Sequence, residues 1–172
     1  MAGTLSVQKI QGLASSATPT TIEIASGHVL QAPGHVLQVV QGSISSEISS
    51  SSSSFQDTGL SVAITPSSSS SKVLILASLG SATVVEASGA DAQGKFQIVR
   101  DSTSVYISKL RSYDYGNSGG IFIGPLFMSY LDSPSTTSEI TYKIQQRLIA
   151  GDSIRLSEGN DPAFIQCMEI AQ

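Results

Sequence analysis

No window of a dozen residues in this chain carries the i, i+3, i+4, i+7 apolar spacing of an amphipathic helix, and that absence constrains the fold most. Short β-branched and aromatic runs recur instead, cut by clusters of Ser, Gly, Asp and Pro. Leu60 to Thr65 alternates and stops at Pro66, and a five-serine turn, Ser67 to Ser71, follows. Lys72 to Ala77 is apolar on both faces, the pattern of a central strand covered on both sides. Lys95 to Arg100 and Ser104 to Ser108 make hairpin arms around Asp101-Ser102-Thr103. Ile121 to Leu131 is a longer run with a bulge or bend expected at Gly124-Pro125. Glu139 to Arg147 alternates with Ile140, Tyr142 and Ile144 facing inward, and Ile154 to Leu156 and Ala163 to Ile170 close the series. Eight or nine short strands over residues 36–172 predict an all-β, antiparallel β-sandwich or jelly-roll-like domain.

A chain of 172 residues suits one such domain. With 33 Ser and 11 Thr against 13% charged residues, its polar surface is built from hydroxyls rather than ion pairs. The net charge of -4 leaves no basic footprint for nucleic acid and no polybasic patch for anionic lipid. The single cysteine, Cys167, excludes an intrachain disulfide, and its apolar surroundings predict a buried, inert thiol. The start Met1-Ala2-Gly3-Thr4-Leu5-Ser6 shows neither the basic nor the apolar region of a secretory signal, and no apolar run is long enough for a membrane-spanning helix. A soluble product without membrane insertion is expected.

Residues 1–35 differ in kind, as an extended N-terminal arm. Their strand-like pieces, Val7 to Gln11 and Thr21 to Ile24, hold too few apolar groups for a core, so the arm is expected to order against another subunit or a partner. Ile10, Ile22, Ile24, Val29 and Leu30, with Val36 and Leu37 just beyond, are its candidate docking and subunit contacts. A direct repeat, Gly27-His28-Val29-Leu30-Gln31 and Gly34-His35-Val36-Leu37-Gln38, holds both histidines. Two imidazoles meeting at a symmetry axis could bind a metal. With no carboxylate or thiolate near in sequence, the repeat reads instead as a turn-and-strand unit.

Catalysis needs a constellation, and the sequence assembles none. A Ser-His-Asp triad would have to recruit a histidine from the arm. No glycine-rich loop ends in the Lys-Ser or Lys-Thr of a phosphate cradle. Asp114, Asp132, Asp152, Glu158 and Asp161 each sit beside Gly, Ser, Tyr or Pro in turn-like surroundings, and are expected to serve turns rather than glycoside hydrolysis. Glu158 to Asp161 lacks the spacing of a calcium loop. The expectation is a protein that is not an enzyme, with no cofactor and no metal. Binding character concentrates in the loop Arg111 to Gly120, where Tyr113, Asp114 and Tyr115 form a candidate receptor or ligand contact, set against the plainer reading of a hairpin tip.

His35 to Val40 leads through a serine-rich run into Ser54 to Pro66, then Lys72 to Ile75, Gln97 to Asp101 and Leu131 to Thr137. As a set these resemble the β-sandwich domain at the distal ends of tail fibres and tailspikes of phages infecting cyanobacteria and other aquatic bacteria. Leu5 to Gln11 and Ile22 to Gly27 resemble the linking segments that precede such domains. The resemblance implies a homotrimer on the virion surface, made in the host cytoplasm. Fibres carry a tail anchor and usually a shaft, whereas this chain reaches its sandwich within the 35 residues of its arm. The expectation is therefore a trimeric knob that decorates and reinforces the capsid as a cement protein, binding the major capsid protein through the arm and aiding host attachment. The alternatives are a tail-fibre or receptor-binding tip held by tail proteins, and a carbohydrate-binding module contacting host surface glycan, for which a row of exposed aromatics on one sheet face would speak.

Overall fold

Alternation builds the sheets, since successive side chains point to opposite faces and a period of two buries every second residue. A computed structural model describes residues 32–85, 91–112 and 121–172, with only the backbone for Ser112 and residues 121–123. Ten strands follow one another among the described residues: β1 (Val36–Ile44), β2 (Ile48–Ser50), β3 (Gln56–Ile64), β4 (Lys72–Val85), β5 (Ala92–Arg100), β6 (Thr103–Ser112), β7 (Ile121–Asp132), β8 (Ile140–Ala150), β9 (Ser153–Leu156) and β10 (Ala163–Ile170), with a 3-10 turn over Glu158–Asn160. There is no α-helix among these residues.

The strands form two antiparallel sheets. Sheet A has the order β1-β10-β4-β9-β2, with β7 on the other side of β4. The first half of β4 pairs with β10 and its last residues with β9, so one long strand carries two shorter neighbours on one edge. Sheet B has the order β3-β8-β5-β6. The protein is thus an all-β antiparallel sandwich, and the expected fold class is present.

The core lies between the sheets. Leu60, Val62 and Ile64 of β3 and Ile140, Tyr142 and Ile144 of β8 meet Val73, Ile75 and Ala77 of β4 and Ala163, Ile165 and Cys167 of β10. The inward trio expected on β8 is fully or almost fully buried. At one edge β1 crosses so close to β3 that a Cβ on Gly42 would overlap the backbone carbonyl of Ser61. At the opposite edge Tyr106 of β6 and Tyr130 of β7 face each other, ring centroids 6.2 Å apart.

Two details depart from the sequence reading. The run starting at Lys72 does not end at Ala77 but continues to Val85, because a bulge between Ser78 and Ser81 absorbs the small residues that look like a turn. The irregularity expected at Gly124-Pro125 falls on β4, opposite Pro125, with Gly80 at φ +56. Proline is tolerated in β7 because β7 pairs only with β4 among the described strands, so its missing N–H can lie on the open side.

Candidate functional site

The outer face of sheet A follows from strand parity. Ile75, Ala77 and Cys167 point inward, so Leu74, Leu76, Ser78, Phe164, Gln166 and Met168 point outward. Cross-strand register arranges them in rows over β1, β10, β4 and β7. One row reads Ser43, Phe164, Ser78, Phe127; the next Gln41, Gln166, Leu76, Ser129; the third Val39, Met168, Leu74, Leu131. Lys72, at the end of β4, is the one ionisable side chain on these positions. Phe127 is 71% exposed, Val39 53% and Leu131 48%.

Small residues between large ones shape this surface. Ser78 sits between the two phenylalanines and Ser129 beside Leu76, which leaves a depression of about 270 Å³ walled by Phe127, Phe164 and Gln166. At its rim the Gln166 amide donates to the Gln41 side-chain oxygen at 2.6 Å. Such a surface can bury apolar groups of a partner, and no ionisable side chain lines its depression.

The outer face of sheet B is the polar counterpart. Ser104 donates to Gln97 (2.8 Å), Gln97 to Gln145 (2.6 Å) and Gln145 to Asp57 (2.7 Å), one relay across all four strands. Lys143 adds an ion pair to Asp57 at 3.0 Å. The donors from Gln145 and Lys143 hold the Asp57 carboxyl below its usual range. The Arg147 guanidinium lies 5.1 Å over the Phe55 ring, folding the serine-rich 51–55 segment onto this face. Ile107 and Ile149 are its exposed large apolar side chains.

Among the described residues, buried charge lies at one end of the core. Asp132 accepts from the Arg100 guanidinium and the Tyr142 hydroxyl, both at 2.7 Å, which ties sheet A to two strands of sheet B. Burial, and then the neighbouring Asp132 carboxylate, push the Tyr142 phenol well above its ordinary pKa. Glu169, on the other side of Val73 in sheet A, is fully buried and accepts from Gln38 (2.6 Å) and from the Ser67 backbone and hydroxyl (2.8 and 2.7 Å). Burial pushes this carboxyl up, but the donors outweigh it and hold the pKa below the usual glutamate value. Both carboxylates are saturated by protein donors, which makes them pins of the sandwich.

Of the acids expected to form turns, Asp132 instead ends β7 as this buried pin, although it also accepts from the Ser133 N–H at 2.9 Å. Glu158 pairs with Arg155 at 2.9 Å, and Asp161 accepts from Ser81. Among the described residues no three His, Cys, Asp or Glu side chains gather as a metal site. His35 lies exposed in the turn before β1, where its carbonyl accepts from the Ala171 N–H at 2.9 Å. Cys167 is buried, and burial pushes its thiol pKa up to about 12. Val36 and Leu37, named above with the arm, are the first residues of β1, with Val36 opposite Ile170. Ile10, Ile22, Ile24, His28, Val29, Leu30, Tyr113, Asp114 and Tyr115 lie outside the described residues. The apolar outer face was not among the expected sites. Its signal was the run Val73-Leu74-Ile75-Leu76, apolar in both parities.

No protein-family model matches this chain, and no curated protein matches it.

Proposed function

We propose that this chain is a structural protein of a tailed-phage particle, a homotrimeric surface knob that decorates and reinforces the capsid through the major capsid protein. The observation that carries a structural rather than catalytic reading is the apolar face across four strands of sheet A, with Lys72 only at its margin and its depression walled by Phe127 and Phe164. Contiguous exposed apolar surface of this kind marks protein contact. The buried carboxylates point the same way, since their hydrogen bonds are satisfied within the fold and leave nothing poised to act on a substrate. The resemblance to distal fibre domains supplies the phage setting.

A sugar-binding module is the weaker account of the same face. Two phenylalanines do share a row, but Leu74, Leu76, Met168, Leu131 and Val39 surround them. A glycan site needs free donors beside its ring, and here the Gln166 amide already donates to Gln41.

Quantitative mass spectrometry of purified particles, with the major capsid protein as reference, tests the proposal. Hundreds of copies per particle are expected of a decoration protein. A few to a few dozen would move the chain to the tail, and absence from the particle would end both virion readings.

A further inference from the structure

Phe127 is the most exposed large apolar side chain of the described residues, and the depression it helps to wall lies directly beside it on the same face. A knob beside a hole lets copies meet head to tail: the knob of one copy enters the hole of the next, and such a contact closes into a ring when its rotation repeats. The sizes agree: a cavity of about 150 Å³ accepts a benzene ring, and the depression here measures about 270 Å³. Charge agrees as well. Copies of a chain with net charge -4 repel one another, and the rows over β1, β10, β4 and β7 can meet those of another copy without opposing acidic groups, with Lys72 at their margin.

We infer that the outer face of sheet A is the contact between copies of this chain, with Phe127 of one copy seated between Phe127 and Phe164 of another, over Ser78. The inference names the assembly face of the homotrimer proposed above and rests on that reading only for the number of copies. A lipid surface fits poorly, because Lys72 is the one cation in these rows and Arg155 of β9, farther along sheet A, is already paired with Glu47 and Glu158.

Sedimentation velocity on the full chain over a range of concentrations tests it. Three variants are compared with wild type: Phe127→Asp removes the knob, Ser78→Trp fills the hole, and Ile107→Asp changes the outer face of sheet B. Each is on an outer face, and circular dichroism confirms the fold. The wild type and Ile107→Asp are expected to sediment as trimers, and the other two as monomers at concentrations at least tenfold higher than the wild type needs to assemble. A monomeric wild type, or an assembly that survives both Phe127→Asp and Ser78→Trp, would overturn the inference. An assembly of another number that both variants dissolve would uphold the face and refute the trimer.

Discussion

The two outer faces of this sandwich share a scaffold and solve opposite problems. On sheet B the relay Ser104, Gln97, Gln145, Asp57 ends in the Lys143 ion pair, so each strand hands a hydrogen bond to the next and the face is complete in water. On sheet A the corresponding rows hold Phe164 and Phe127, Leu76, then Met168, Leu74 and Leu131, and the one hydrogen-bonded pair on them is Gln166 with Gln41. Both faces have the same backbone geometry and alternation. The difference teaches that a sheet's second face is where function enters. The inward face is fixed by the core, whereas the outward face is free to be finished for solvent or left for a partner.

The harshest way to break the comparison is to break the scaffold beneath both faces. Asp132→Ala strands the Arg100 guanidinium and the Tyr142 hydroxyl at the end of the core and should cost about 3 kcal/mol, read by urea denaturation. Gly42→Val, which drives a side chain into the Ser61 carbonyl where the edges of the two sheets meet, should cost about 2 kcal/mol or more by the same measurement.

Subtler changes should separate the faces. Gln145→Ala interrupts the sheet B relay and should lower stability by about 1 kcal/mol while leaving assembly intact. Leu131→Ser, in the apolar rows of sheet A, should change the stability of the folded chain by less than about 0.5 kcal/mol and weaken assembly severalfold. An effect of Gln145→Ala on assembly, or none of Leu131→Ser, would erase the distinction.

Acid supplies the smallest and most specific perturbation. The folded pKa of Glu169 lies below its unfolded value of 4.5, so its contribution is complete above pH 4.5 and is lost as pH falls through the folded pKa. Glu169→Gln should remove that part of the acid sensitivity, visible as a flatter dependence of the melting temperature on pH below 4.5. Cys167, with its thiol near pKa 12, should stay unreactive toward thiol reagents at pH 8 until the chain unfolds.

Much of the fold was legible. Ala163 to Ile170 could be bounded to the residue, because it is a largely apolar run without glycine that starts directly after Pro162. The end of β4 was not legible, because Ser78, Gly80 and Ser81 spell a turn locally, and only pairing with β7 holds them in a bulged strand. Asp132 looks like a turn former beside Ser133 and Pro134. Its partners Arg100 and Tyr142 are 32 and 10 residues away, a relation that no local pattern carries. The apolar second face of Lys72 to Ala77 was visible as a pattern and misleading as an expectation. β4 is indeed central in sheet A, yet Leu74 and Leu76 look away from the core. Periodicity reports that a face is apolar; what covers that face is a tertiary fact.

Hydroxyl-radical footprinting of the wild-type protein at assembling concentration tests the central claim most directly, each side chain's rate being compared with its own rate in the unfolded chain. The account predicts that Phe127, Leu131 and Val39 on sheet A are strongly protected although each is about half exposed or more in the single chain, while Ile107 and Ile149 on sheet B label freely. Equal labelling of the two faces, in proportion to their exposure in one chain, would contradict it.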